Sequence, residues 1–136
     1  MKTLRGYIFS RRFMGERAPQ HVQNIVIREY CQRAGYQYAL SATEYAMSGS
    51  SLMLVQLIES IESVDGIVAY SLFQLPEDQK IREGLCKAVL ELGKELHFAV
   101  ENIAVSSETS LTRIEVLWRV KQSASNWSNE GQPWDQ

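Results

Sequence analysis

The sequence predicts one α/β domain over residues 1–121, with a four-stranded, mainly parallel sheet flanked by helices. Three observations predict it. Short apolar runs alternate four times with longer segments of helical periodicity, the pattern that right-handed crossovers turn into a parallel sheet. One of those runs, Ile67 to Tyr70, is continuously apolar, as strands covered on both faces are. Two helical segments are followed by glycine, Gly35 and Gly93, where a left-handed cap is expected.

Leu4 to Phe9 reads as the first strand and stops at Ser10. The loop that follows carries Arg11, Arg12 and Arg17 and little that could be core. Pro19 suits a first helical turn, where its missing N–H would be unpaired anyway. Val22, Val26 and Tyr30, with Ile25 and Ala34, make an apolar stripe on a helix from Pro19 to Ala34. Tyr36 to Leu40 is the second strand, and Ser41 to Gly49 is a polar loop too long for a simple turn. Ser50 or Ser51 caps a second helix that runs to about Ser63, with Leu54, Leu57, Ile58 and Ile61 inward. Asp65 and Gly66 turn the chain into the third strand, Ile67 to Tyr70, which ends in a polar turn from Ser71 to Asp78. The third helix lines up Ile81, Leu85, Val89 and Leu92, and Leu96 to Val100 is the fourth strand, ending at Glu101 and Asn102. A last helix spans roughly Thr109 to Lys121, with Leu111, Ile114, Leu117 and Trp118 on its apolar face. Residues 122–136 turn to Ser, Asn, Gln and Gly with two tryptophans, a flexible polar tail whose tryptophans dock either on a protein partner or on the domain itself.

At 136 residues, 45% of them hydrophobic and 22% charged, the chain can bury one sizeable core. Its formal net charge of −2 provides no global positive field, which argues against a nucleic-acid partner and confines anion binding to a local loop. Cys31 and Cys86 fall in separate predicted helices with no CxxC spacing, so no metal site is expected and a reduced, cytoplasmic setting fits best. No apolar run approaches the roughly 18 residues of a membrane span. With neither GxGxxG nor GxxxxGK present, no dinucleotide or nucleoside triphosphate cofactor is expected.

Parallel topology brings the strand-end loops to one edge of the sheet, where open α/β folds bind ligands. Arg11, Arg12 and Arg17 lie between a strand and a helix N-terminus, so the expected guest is an anionic small molecule such as a sugar phosphate or nucleotide sugar. Glu44, Glu77 and Glu101 come from three different strand-end loops, and converging carboxylates suit acid–base work or the binding of sugar hydroxyls. Glu44 and Glu101 are the catalytic candidates, together with Ser10 as a nucleophile, although a serine needs an activating base and otherwise caps or hydrogen-bonds. His21 is the nearest base in sequence and more simply a helix-surface residue. Gln20, Tyr45, Ser71 and Gln74 are candidate substrate-binding groups on the same loops, with Gln23 and Asn24 as further amides on either a hydroxyl-reading or a merely polar helix face. Tyr70, like Tyr45, reads either as a group that stacks on a sugar or donates a proton or, more simply, as a packing residue with a wet hydroxyl, and His97, inside a strand, as a packed side chain.

At GYIFS, PQHVQN, the loop from Glu44 to Gly49 and DGIVAYSLFQL, residues 4 to 105 resemble the catalytic domain of serine resolvases and invertases. That family's hallmarks are a Tyr-x-Arg-x-Ser strand end, a Glu-x-x-Ser-Gly loop and an Asp-Arg-Leu-x-Arg turn. Here Ser10 follows Tyr7 one residue early and lacks the preceding arginine, and Glu44 is one residue too far from Ser48 and Gly49. Phe73, Gln74, Leu75, Pro76 and Glu77 stand where the turn has its aspartate and arginines. The resemblance implies a resolvase-like three-layer fold, and the lost arginines argue against phosphoryl transfer. A recombinase would also carry a DNA-binding region downstream, for which this sequence leaves little room. The strings RGYIFSRRFMGERAPQHVQN, LSATEYAM, YSLFQLPED, LHFAVEN and RIEVLWRV resemble the sporadic carbohydrate cluster family of small bacterial proteins. That resemblance implies a part in making a cell-surface sugar and names no reaction. An enzyme, a non-catalytic scaffold subunit and a degenerate recombinase domain stay open at this point, each compatible with a homodimer.

Overall fold

Five strands rather than four build the sheet, in the order β2-β1-β3-β4-β5. β1 (Thr3–Phe9), β2 (Gln37–Glu44), β3 (Gly66–Ala69) and β4 (Glu95–Phe98) run parallel, and β5 (Ile103–Val105) pairs antiparallel with β4. The computed structural model describes residues 1–10, 18–44 and 52–130. Helices α1 (Gln20–Ala34), α2 (Leu52–Glu59), α3 (Gln79–Glu91) and α4 (Glu108–Glu130) follow β1, β2, β3 and β5. None of the described helices is long and apolar enough to cross a membrane.

Strand alternation sorts the core into two layers. Leu4 and Ile8 of β1 pack with Ile27, Tyr30 and Cys31 of α1, while Tyr7 and Phe9 pack with Leu54, Leu57, Val89 and Trp118 of the other three helices. β3 is buried throughout because Val68 enters the first layer and Ile67 and Ala69 the second. This is the doubly covered strand its apolar run predicts.

Several expectations need correction. The fifth strand exists because Asn102 adopts a left-handed conformation, φ 56°, and reverses the chain after β4. Asparagine tolerates that conformation better than other non-glycine residues, and three residues of strand are too few to register as periodicity. β2 extends to Glu44, through residues expected to form a loop, because β1 pairs with it up to Phe9 opposite Glu44. α1 buries Gln23, Ile27, Tyr30 and Cys31; of the expected stripe Tyr30 is in the core, Val22 and Val26 are half-buried at its edge, and Ile25 is exposed. α3 likewise turns Arg82, Cys86 and Val89 inward and leaves Ile81 and Leu92 in solvent. In both helices a buried polar side chain takes a core position that an apolar pattern does not reveal. The second helix stops at Glu59 and a separate 3-10 turn covers Ile61–Ser63; its expected serine cap lies outside the described residues. α4 continues past Lys121 to Glu130, into residues expected to be tail, since extending a formed helix costs far less than nucleating one.

Candidate functional site

The carboxyl ends of β1 to β4 share one edge, and the winding reverses between β1 and β3. A crevice outside the strand ends is expected at such a reversal. Here two amides occupy it. Gln23 Nε2 donates to the carbonyls of Phe9 and Ala18 at 2.8 and 2.7 Å, and its Oε1 accepts from the Phe9 N–H at 2.9 Å and from Gln74 Nε2 at 2.8 Å. Gln74 Oε1 in turn receives the Ser71 N–H at 3.4 Å. Both glutamines are buried, so Gln74, expected to orient a substrate, holds the β3 turn against β1 and α1 instead. Sequence reasoning took Gln23 for a surface or ligand-reading amide, and nothing in a lone glutamine on a first helical turn signals otherwise.

Ser10 and Glu44 meet at the next strand end. The Ser10 N–H and Oγ both donate to the Glu44 carbonyl, at 2.9 and 3.0 Å. The Glu44 carboxylate, only 2% exposed, accepts from the Tyr7 hydroxyl at 3.0 Å. It also takes the Met53 N–H at 3.1 and 3.2 Å on its two oxygens. That N–H opens α2, where the positive end of the helix dipole favours a carboxylate. Glu44 thereby fastens α2 to β1. Arg11, Arg12, Arg17 and Tyr45, which complete this part of the expected site, lie outside the described residues.

The third group forms where β3 and β4 end. Ser71 Oγ donates to Glu101 Oε2 at 2.8 Å and the Leu72 N–H donates to Oε1 at 2.8 Å. Ser71 Oγ also accepts the Phe73 N–H at 3.2 Å, which caps the 3-10 turn Leu72–Gln74. Glu101 is only partly buried and faces a pocket of about 230 Å³ lined by Tyr70, Ser71, Phe73, Val100, Glu101 and Lys121. Lys121 comes from α4 and holds its ammonium 5.5 Å from the centre of the Phe73 ring, which also approaches Trp118 edge-on at 5.3 Å. Neither Lys121 nor Phe73 was among the expected site residues. The available signal is their place: Phe73 lies in a strand-end turn, and Lys121 lies one helical turn beyond Trp118. Gln20, His21 and Glu77 sit exposed at the helix starts and reach none of these groups by a described hydrogen bond. Cys31 and Cys86 are buried away from the edge, and burial pushes their thiols up to about 11 and about 12. Among the described residues, no cluster of His, Cys, Asp or Glu could hold a metal ion.

The chain is similar over 93% of its length to the N-terminal catalytic domain of TP901-1 integrase, with TM-score 0.61 and 20% identity, covering 97% of that domain. It is also similar to a resolvase family site-specific recombinase from Streptococcus pneumoniae, with TM-score 0.63 and 11% identity over 93% of each chain. The fold is that of a resolvase catalytic domain. Neither a protein-family model nor a curated protein matches the chain. Identities this low carry the fold and leave the chemistry to the residues present. In this resolvase-like sandwich, Ser10 stands just after β1, and the turn after β3 bears Phe73, Gln74 and Glu77 where the resemblance expects an aspartate and two arginines.

Proposed function

We propose that the protein binds an anionic sugar or nucleotide-sugar precursor at the carboxyl edge of its sheet, as a cytoplasmic component of cell-surface carbohydrate synthesis. The observation that carries this reading is the solvent-facing carboxylate of Glu101, held by Ser71 and the Leu72 N–H at the mouth of a pocket. An ionised carboxylate accepts from hydroxyls and would repel a bare phosphodiester backbone. Glu44, by contrast, is closed in on Tyr7 and α2, and Ser10 gives its proton to a backbone carbonyl. In this reading Ser10 and Glu44 shape the edge, and Arg11, Arg12 and Arg17 supply the charge that draws in the anion. The test is a thermal-unfolding panel of sugar phosphates, nucleotide sugars and short DNA duplexes. A ligand at one hundred times its Kd stabilises a folded domain by about 2.7 kcal/mol, so a selective rise in midpoint with one sugar class is expected. Replacing Arg11 and Arg17 by Gln should remove that rise without lowering the unliganded midpoint. Silence across the sugar panel overturns the reading.

A second reading, a recombinase-like domain that has lost its reaction but still touches DNA, is favoured by the names of the two structural neighbours. It requires DNA binding that weakens steeply with salt, and the same panel decides it.

A further inference from the structure

We infer that the outward side of α3 is an interface for a second copy of this chain, with the two α3 helices packed antiparallel about a two-fold axis at the level of Cys86. Two patterns on the one helix carry this, and both are independent of any ligand at the sheet edge. The first is apolar. Arg82, Cys86 and Val89 turn inward, while Ile81, Gly84, Ala88 and the C-cap residue Leu92 follow one another at helical spacing along a different side. Ile81 and Leu92 are 52% and 53% exposed, Gly84 is exposed and Ala88 half-buried. Glycine is among the least favourable residues in a helix interior, yet a Cβ at position 84 would meet nothing within 4 Å, so no contact inside the chain requires its absence. A helix laid on α3 from outside does require it, because a missing Cβ lets two backbones approach closely.

The second pattern identifies that outside helix. Lys80, Glu83, Lys87 and Glu91 alternate in sign along one flank of the same side; Glu83 is half-buried and the other three are exposed. Reversing the helix turns the order plus, minus, plus, minus into its opposite. Two copies laid antiparallel therefore set Lys80 beside the partner's Glu91 and Glu83 beside the partner's Lys87. The same centre sets Gly84 against the partner's Ala88 and Ile81 against the partner's Leu92. These four matches share their centre to within two residues, about 3 Å of helix. A parallel pair sets each charge level with the same charge on the other copy and loses every match. A two-fold contact must be self-complementary, and this helix is. α3 has 13 residues and so is about 20 Å long. Contact along one such helix is small against the roughly 1,200–2,000 Å² of a stable specific interface, so the dimer is a weak, reversible one. Because α3 starts at the carboxyl edge of the sheet, the antiparallel pair points the two edges in opposite directions.

The experiment is sedimentation equilibrium of the full chain from about 10 μM to about 1 mM, the range that brackets a weak small interface. A reversible monomer–dimer equilibrium is expected. Lys80→Glu places like charges together twice in each dimer and should weaken association about tenfold. Lys80→Glu combined with Glu91→Lys restores opposite signs and should return the original Kd. Ile81→Gln together with Gly84→Gln, both at exposed positions, should leave a monomer whose melting midpoint at low concentration is no lower. The exposed Val116 and Val120 of α4 serve as the control, so Val120→Glu should leave association unchanged. A monomer at every concentration overturns the inference. A dimer that survives the Ile81 and Gly84 changes, or that is lost on Val120→Glu, overturns it by placing the contact on another face. Association lost on Lys80→Glu and not recovered by the swap overturns the antiparallel register.

Discussion

Glu115 answers a charge that cannot leave the interior. Arg82 donates from Nε and Nη2 to the two Glu115 oxygens at 2.8 and 2.6 Å, while Nη1 donates to the carbonyls of Pro76 and Glu77 at 3.0 Å. Its guanidinium also lies 4.3 Å from the centre of the Trp118 ring. A fork held by two oxygens in this way is a task for arginine and not for lysine. Both side chains are buried, so removing one partner strands the other without water. Glu115→Ala should therefore destabilise the protein by about 3–5 kcal/mol, whereas replacing the pair together by Met should restore much of that loss. Urea titrations of Arg82→Met, Glu115→Met and the double variant measure the coupling, and additive losses would mean that the pair is not a unit. The same pair explains why α3 was misread. An apolar count favours Ile81 and Leu92 for the core, but the position that faces α4 belongs to Arg82.

Elements were legible where the signal was apolar and illegible where it was polar or short. α2, the 3-10 turn after it and α4 bury Leu54 and Leu57, Ile61, and Leu111, Ile114 and Trp118, as their spacing predicts, with Ile58 and Leu117 partly buried beside them. Gly35 and Gly93 do adopt left-handed conformations after α1 and α3, at φ 82° and 74°. The address at the strand carboxyl ends was legible, and so was the gathering of Ser71 and Glu101 there, which the hydrogen bond between them shows. The site was not legible in Gln23, Phe73 and Lys121, because a buried amide or a pocket-lining cation looks in sequence like any surface residue. A turn can also hide its reason. Gly66 reads as an ordinary loop glycine, yet a Cβ there would stand 2.4 Å from the Glu95 carbonyl oxygen of the adjoining strand. The obstacle is backbone, so it cannot rotate aside. Gly66→Ala should push β3 and β4 apart where Asp65 and Glu95 pair, and lower stability by about 1–3 kcal/mol or more. Amide hydrogen exchange should show lost protection in β4 before β2. Equal stability of the variant would mean that the strand ends yield more easily than their spacing implies.

At the scale of the whole molecule, one titrating cluster ties the α1 layer, the sheet and the chain's first residues together. His97, fully buried in β4, donates from Nε2 to the Glu95 carboxylate at 2.9 Å and accepts the Tyr30 hydroxyl of α1 on Nδ1 at 2.6 Å, the one assignment open to a neutral imidazole beside an acceptor-only carboxylate. Lys2 pairs with Glu95 from the other side, and the Tyr36 ring lies 4.7 Å from the imidazole. Burial lowers the His97 pKa below its ordinary 6.5, outweighing the Glu95 carboxylate that raises it. Burial also acts on Glu95, pushing it up, but hydrogen bonds from Lys2 and His97 together with their charges bring it below 4.5. Tyr30 is pushed up to about 12, chiefly by burial, and stays protonated throughout. Both linked groups have the same sign. As pH falls through 6.5 the unfolded chain takes up the histidine proton before the folded one does, so stability is full above that value and declines toward the depressed folded pKa. Glu95 adds a further loss below 4.5, as its carboxylate is protonated first in the unfolded chain. Stability should thus fall between pH 7 and 5 with a slope of at most about 1.4 kcal/mol per pH unit from His97. In His97→Gln, which keeps a hydrogen-bonding side chain but cannot titrate, that part of the slope should vanish while the loss below 4.5 persists. Urea midpoints measured from pH 7.5 to 4 for the two proteins decide it: parallel curves would place the acid sensitivity elsewhere and leave the cluster as packing alone.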